Sequence, residues 1–299
     1  MVDLAPATSV AMTAAERAQF EADGYLLLPG ALDQDETAFA RHAIMGAYER
    51  GEQRGELDRA GNLHRLSAVT HCPQLSFLLD HPRTFPYVWS VLGWNVHVYH
   101  SHVDVHPPRS DTAGPHWGWH QDGGRQNREV ETEPRPRLSV KIAYWFSDVS
   151  QTGRGNLMII PGSHKANWLD GPPRRSLEWP MPPGAIEVTA NAGDALLFDR
   201  RLWHVRSENY SDMTRVAAFF GYTLRWIAGR DDVRGLPELP WWEHLNPVQR
   251  QLLGDPGDGT GEHLWGHFPQ TTPVYRELAA NRQLDPGYPP LIPDAADAQ

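Results

Sequence analysis

The N-terminal third of the chain places apolar side chains at helical spacing. Thr13 and Glu16 form a capping-box pattern, in which an N-cap side chain and the side chain three residues later satisfy free backbone N–H groups at a helix start. Gly24 ends this helix, since glycine readily adopts the left-handed conformation found at helix C-termini. The predicted elements are helices over about 13–24, 35–50 and 81–92 and a short strand over 25–28.

After this helical part the pattern changes to a period of two. Between Val98 and His106, the residues His100, His102 and Asp104 alternate with less polar ones, so they share one face of a predicted strand. Further strands are predicted at about 138–146, 156–160, 186–190, 195–199, 202–207 and 215–224. Many short strands separated by turns are typical of a sandwich or jelly-roll barrel.

These patterns predict one mainly β domain with N-terminal helices. The helical part runs from about residue 13 to 93, the barrel core from about 94 to 226, and a wrapping segment from about 227 to 299. Two long loops interrupt the strands, at 123–137 and 161–184, and loops of this length often cover or bind ligands.

Composition narrows the range of partners. The 27 Lys and Arg residues are outnumbered by 37 Asp and Glu residues, and the net charge of −10 argues against nucleic acid and anionic membrane surfaces. Cys72 is the only cysteine, so no intramolecular disulfide can form, which fits a cytoplasmic protein. No apolar stretch is long enough to span a bilayer. A hydroxylated or cationic small molecule suits the acidic chain best.

A candidate metal site is formed by His120, Asp122 and His204. Residues two apart on a strand project from the same face, so His120 and Asp122 can reach one ion, and His204 supplies a third ligand from a distant strand. Two imidazoles and one carboxylate, with open coordination positions, characterise non-haem iron(II) oxygenases. Arg215 follows His204 by 11 residues, is expected on a neighbouring strand, and is predicted to bind the distal carboxylate of a 2-oxo acid.

Other readings of these histidines remain open. His102 and Asp104 repeat the same spacing on a predicted strand, so the pair alone is not diagnostic. His116 and His120 are spaced as in helical zinc sites, which would suit a zinc hydrolase, although the nearby Pro115 and Gly118 disfavour a helix. A jelly-roll binding module without redox chemistry is a further alternative.

Several motifs in a fixed order carry a family resemblance. They are Phe20-Glu21-Ala22-Asp23-Gly24-Tyr25, His120-Gln121-Asp122-Gly123, Ile160-Pro161-Gly162-Ser163-His164, Gly193-Asp194-Ala195-Leu196-Leu197-Phe198, and His204 to Asn209 with Ser211 to Arg215. Over roughly residues 13 to 225 the chain resembles the phytanoyl-CoA dioxygenase family of iron(II)- and 2-oxoglutarate-dependent oxygenases. The resemblance implies a double-stranded β-helix, the jelly-roll or cupin-like barrel.

The resemblance also implies roles for particular residues. Fe(II) would be bound by His120, Asp122 and His204, and the far carboxylate of the cosubstrate 2-oxoglutarate by Arg215. Secondary contacts with 2-oxoglutarate are expected from the strands before and after His120. The candidates are His100 or His102, Ser139 or Lys141, and Ser211.

Two departures from the family pattern concern the secondary contacts with 2-oxoglutarate. Arg206 occupies a position where serine is frequent, and Gly153-Arg154-Gly155 replaces a frequent Glu-Asn-Gly. Asp122 keeps the carboxylate that related halogenases lack, which indicates oxygenation by O2. The expected reaction is hydroxylation or oxidative cyclisation at an unactivated C–H of a polar natural product containing a sugar, with orthoester formation as one form of ring closure. Succinate and CO2 would be released.

Overall fold

The computed structural model describes residues 12–109, 118–123, 126–169, 181–233, 235–255 and 272–281. The helices are α1 (Ala14–Asp23), α2 (Gln34–Gln53), α3 (Ala68–His71), α4 (Phe85–Leu92), α5 (Gln126–Glu129), α6 (Pro247–Leu252) and α7 (Pro273–Ala280). The strands are β1 (Tyr25–Leu28), β2 (Leu63–Leu66), β3 (Val96–His106), β4 (Ser139–Trp145), β5 (Leu157–Ile159), β6 (Ile186–Val188), β7 (Ala195–Asp199), β8 (His204–Arg206) and β9 (Arg215–Leu224).

These strands form two antiparallel sheets. The major sheet has the order β1-β7-β4-β9-β3-β2, and the minor sheet has the order β6-β5-β8. His120 extends the minor sheet through an isolated bridge to His204. Backbone N–H groups and carbonyl oxygens of the two residues pair at 3.0 and 2.9 Å. The predicted mainly β fold with helices is confirmed.

Apolar residues fill two layers around the major sheet. One cluster packs the N-terminal helices against the outer face of the major sheet. It contains Ile44 of α2, Val88 of α4 and Ile142 of β4. A second cluster lies between the sheets and includes Trp145 and Leu157. Because β4 is covered on both faces, all of its residues are buried, and Lys141 is among them. Lys141 lies on the same face of β4 as Ala143 and Trp145 of the second cluster, so the site region borders the apolar cluster between the sheets.

The structure corrects and extends the predicted elements. His204 and Arg215 were expected on neighbouring strands, but β8 belongs to the minor sheet and β9 to the major sheet. The two residues therefore approach the space between the sheets from opposite sides. The short helices α3, α5, α6 and α7 and the strand β2 were not predicted. None of the described helices combines the length and the apolar character that crossing a bilayer requires.

Candidate metal and cosubstrate site

Backbone pairing brings His120, Asp122 and His204 together. The backbone N–H of Asp122 donates to Arg200 O at 2.8 Å, next to the bridge between the two histidines. Asp122 Oδ1 lies 4.0 Å from His120 Nε2, and its Oδ2 lies 3.8 Å from His204 Nε2. The three donor atoms form one of the two His/Asp groups in the described chain that are compact enough for a metal ion.

Hydrogen bonds hold both imidazoles in the tautomer that metal binding requires. Nδ1 of His120 donates to Gly118 O at 2.7 Å, and Nδ1 of His204 donates to Leu202 O at 2.8 Å. Each Nε2 therefore keeps its lone pair and faces Asp122. Burial lowers the pKa of His204 to about 3, so its ring is neutral near pH 7. Two imidazoles and a carboxylate match the donor set preferred by non-haem iron(II).

Lys141 neutralises the carboxylate of this group. Its Nζ lies 2.8 Å from Asp122 Oδ2, and the lysine side chain is almost completely buried. Although burial opposes ionisation, the Lys141 charge holds the pKa of Asp122 well below its usual value. Asp122 is therefore ionised and can serve as a metal ligand, and its Oδ2 atom is paired with the Lys141 ammonium group.

Arg215 is buried where the strands β9 and β3 pair. Its Nη1 lies 3.7 Å from Asp104 Oδ2, and neither Nε nor Nη1 has a hydrogen-bond partner within the described residues. Burial lowers its pKa to about 10, which still leaves the guanidinium charged at neutral pH. Buried guanidinium groups are normally hydrogen-bonded, so an anionic ligand fits here.

A second His/Asp group lies beside Arg215. His64 Nδ1 is 2.7 Å from Asp104 Oδ1, and His102 Nε2 is 3.7 Å from Asp104 Oδ2. The His102 ring stacks on Phe219, and its Nδ1 lies 3.2 Å from His100 Nε2. Asp104 is thus held by a histidine and by the charge of Arg215.

An open cavity of about 420 Å³ connects the two groups. It is lined by all three candidate metal ligands and by His100, His102 and Lys141. Ser139 and Ser211 are not brought to it. The Ser139 hydroxyl instead faces Tyr99 OH at 3.4 Å, and the Ser211 hydroxyl donates to Asn209 Oδ1 at 2.7 Å in the turn before β9. His116, which pairs with His120 in the zinc-hydrolase hypothesis, lies outside the described residues.

Sequence reasoning missed two cavity residues. His64 was not predicted because β2 is only four residues long and shows no clear alternation. Arg230 was not predicted because it follows β9 in a segment without periodic pattern. The position of His64 opposite Asp104 follows from the pairing of β2 with β3, which the sequence does not reveal. For the second, no pattern in the chain marks the residue.

Known proteins with similar sequences and folds match this architecture. The family model for phytanoyl-CoA dioxygenase (PhyH) matches residues 20–217. An ectoine dioxygenase from Halomonas elongata is 27% identical over 240 residues, which cover 72% of this chain and 70% of that protein.

Two solved structures share the fold. The non-haem α-ketoglutarate-dependent carbocyclase SnoK from nogalamycin biosynthesis has a TM-score of 0.58 at 24% identity and covers 82% of this chain and 95% of its own. HygX from Streptomyces hygroscopicus, solved with nickel and 2-oxoglutarate bound, has a TM-score of 0.56 at 18% identity over 74% of this chain and 90% of its own. With two thirds of its length matched by the family model, the chain belongs to the phytanoyl-CoA dioxygenase family and is a non-haem iron, 2-oxoglutarate-dependent dioxygenase.

Proposed function

We propose that His120, Asp122 and His204 bind Fe(II) and that this centre oxidises an unactivated C–H bond of a polar small molecule. The observation that carries the proposal is the convergence of two lone-pair Nε2 atoms on an ionised carboxylate. Iron with 2-oxoglutarate and O2 supplies an oxidant for C–H bonds and releases succinate and CO2. The barrel around it is a double-stranded β-helix within a single domain of 299 residues.

The chain's own residues have separate tasks in this proposal. Arg215 binds the far carboxylate of 2-oxoglutarate, since its buried guanidinium offers unused N–H donors. Lys141 is close enough to Asp122 to hold one carboxylate oxygen and to attract the near carboxylate of the cosubstrate. His100 and His102 line the same cavity and contact the cosubstrate from β3. Leu157, Phe198 and Phe219 of the apolar cluster between the sheets line the cavity and limit the access of water there.

The product is an alcohol or a closed ring of a natural product, including one that carries a sugar. A similar protein is named as a dioxygenase of ectoine and the carbocyclase SnoK shares the fold, so oxygenation and ring closure are both represented among similar proteins. With iron bound, Asp122 would supply a carboxylate ligand where related halogenases leave room for a halide, which favours oxygenation.

The first test is iron and cosubstrate binding without oxygen. Wild-type enzyme given Fe(II) and 2-oxoglutarate should develop the weak visible charge-transfer band of the chelate. His204→Ala and Asp122→Ala should abolish it, whereas His64→Ala, in the other His/Asp group, should retain the iron. Absence of the band in the wild type would favour a non-redox binding module. Activity that survives His204→Ala would favour a zinc hydrolase using His116 and His120.

The second test is turnover. Succinate release should rise when a suitable polar substrate is added, and Asp122→Ala should remove this stimulation. A substrate that stimulates both proteins equally would contradict the assignment of Asp122 as a metal ligand.

A further inference from the structure

Arg230 stands at the rim of the cavity, on the chain that follows β9. It is exposed, and no carboxylate of the described residues forms an ion pair with its guanidinium. The other cations near the cavity have nearby carboxylates: Lys141 contacts Asp122, and Arg215 lies close to Asp104. Within the described part of the molecule, Arg230 therefore forms no ion pair, and the nearest charge that acts with it is the adjacent Asp231 carboxylate.

The backbone around Arg230 is anchored to β3. The N–H groups of Arg230 and Asp231 both donate to Tyr99 O. The Asp231 carboxylate accepts from the backbone N–H of Ser101 at 2.9 Å and from the Ser101 hydroxyl. These contacts engage Asp231 and fix where the Arg230 side chain begins. A cation held at a defined position can give specificity to a ligand, because little ordering is required on binding.

The charge of the cavity differs in sign from the charge of the chain. Three cations line the cavity, Lys141, Arg206 and Arg230, against the two carboxylates Asp104 and Asp122. His100 also lines it, and burial lowers the pKa of His100 to about 3, so that ring adds no charge near neutral pH. The net charge of −10 suggested a neutral or cationic substrate, but the local excess of positive charge favours an anionic one.

We propose that the substrate carries a carboxylate and that Arg230 binds this group at the rim of the cavity. The inference rests on the proposed function and adds the charge class of its substrate. A single guanidinium offers two parallel N–H donors, the geometry that matches a carboxylate. With the carboxylate at Arg230, the rest of the substrate extends into the cavity toward His120, and Arg215 stays available for 2-oxoglutarate.

The experiment compares acids with their methyl esters, which remove the negative charge and keep the carbon skeleton. The probes are ectoine, glucuronic acid and pipecolic acid, each with its methyl ester. They are given to the Fe(II)- and 2-oxoglutarate-loaded enzyme. Binding is measured without oxygen from the change in the visible band, and turnover is measured as succinate release. The band before any probe is added reports on the proposed function independently.

The expected result is an acid that exceeds its ester at least tenfold in kcat/KM. Arg230→Ala should lower kcat/KM for that acid by roughly 10- to 100-fold, mainly through KM, and leave the ester unchanged, because a charge-assisted hydrogen bond is lost. Arg230→Lys should give an intermediate kcat/KM for the acid, since lysine keeps the positive charge but lacks the two parallel N–H donors of the guanidinium group. Arg54→Ala, an exposed arginine that does not line the cavity, should behave as wild type.

Three outcomes would overturn the inference while the iron assignment stands. The first is that no acid in the panel is preferred to its ester although the band forms. The second is that Arg230→Ala keeps the preference for the acid. The third is that Arg230→Ala raises the KM for 2-oxoglutarate by the same factor, since Arg230 would then serve the cosubstrate. Failure of the band to form in the wild type would instead contradict the proposed function.

Discussion

Gly155 lies directly against the side chain of Arg215. A Cβ atom on Gly155 would be 2.9 Å from Arg215 Cδ and 3.6 Å from its Cγ. Gly155 also has φ +72°, in the left-handed region that side chains rarely adopt. The absence of a side chain at Gly155 therefore leaves the space that the Arg215 side chain occupies. Gly155 is the position of the Gly153-Arg154-Gly155 segment that keeps the glycine of the family's frequent Glu-Asn-Gly.

Gly155→Ala should weaken the binding of 2-oxoglutarate. The added methyl group must displace the Arg215 stem, which is buried and has little room to move. We expect the KM for 2-oxoglutarate to rise about tenfold, equivalent to ~1.4 kcal/mol. Gly153→Ala is the matched control, because Gly153 has φ +77° and nothing within 4 Å of its Cβ position. Equal KM values for 2-oxoglutarate in the two variants would show that the change comes from backbone strain and not from displacement of Arg215.

Lys141→Met should make the protein more dependent on metal for stability. The substitution keeps the length of the side chain but leaves the largely buried Asp122 carboxylate without its cation. Removing one partner of a buried ion pair costs about 3–5 kcal/mol, and a bound dication can restore the balance. The rise in Tm on adding Mn(II) should therefore be larger for Lys141→Met than for wild type.

The matched control for this variant is Lys165→Met, which changes an exposed lysine. It should show the wild-type response to Mn(II). If Mn(II) raised the Tm of Lys141→Met no more than that of the wild type, the pairing of Lys141 with Asp122 would not be important in the folded protein.

The parts of the site that sequence could predict are those set by local spacing. His120 and Asp122 are two residues apart, and backbone pairing with the segment before His204 brings all three together. On β4 the same spacing selects Ser139 and Lys141, but only the longer side chain reaches the cavity. The face of the strand on which a side chain lies was therefore predictable from the period of two. Whether the side chain is long enough to reach the cavity depended on the width of the space between the sheets.

The parts that sequence could not predict depend on pairing between distant segments. His64 contacts Asp104 because β2 and β3 pair in a register that places these two residues opposite each other. Arg230 reaches the rim because its backbone N–H donates to Tyr99 O. Neither register nor loop anchoring leaves a periodic signal in one chain, since both are determined by the final packing.

Asp199→Asn should reduce stability near neutral pH and weaken its acid dependence. Asp199 is fully buried and accepts hydrogen bonds from Arg201 Nη2 and Arg137 Nε, both at 2.7 Å. Although burial acts in the opposite direction, Arg201 and Arg137 lower the pKa of Asp199. A depressed carboxyl pKa contributes stability that is present above the unfolded value, about 3.9, and is lost as pH falls through the folded value.

Urea unfolding at pH 7, 5, 4, 3 and 2.5 measures this effect, because the contribution of Asp199 changes only below about pH 4. We expect Asp199→Asn to lose about 3–5 kcal/mol at pH 7, because the buried Arg201 guanidinium loses its counter-charge, whereas the half-buried Arg137 keeps its pairing with Glu21. The difference from wild type should narrow as the pH approaches 4 and below. Asp212→Asn, at an exposed turn, should follow the wild-type curve. A constant difference across this pH range would contradict the assigned role of the Asp199 charge.

Gly24 and His164 connect two of the family motifs, and their contact should be measurable as a coupling energy. A Cβ on Gly24 would lie 2.5 Å from His164 Nδ1, and Gly24 has φ +82°. The N–H of Gly162 donates to Asp23 O at 2.8 Å, so the two turns also pair through their backbones. Gly24→Ala should therefore destabilise the protein by about 2–4 kcal/mol, from the left-handed backbone and the crowding together.

A double-mutant cycle separates the two contributions to the loss. His164→Ala removes the ring that the new methyl group would meet, so it should recover part of the loss in the Gly24→Ala background. Gly30→Ala isolates the backbone contribution, because Gly30 has φ +60° and nothing within 4 Å of its Cβ position. It should lose only about 1–2 kcal/mol. Strictly additive effects of Gly24→Ala and His164→Ala on unfolding free energy would mean that the histidine ring moves aside without strain.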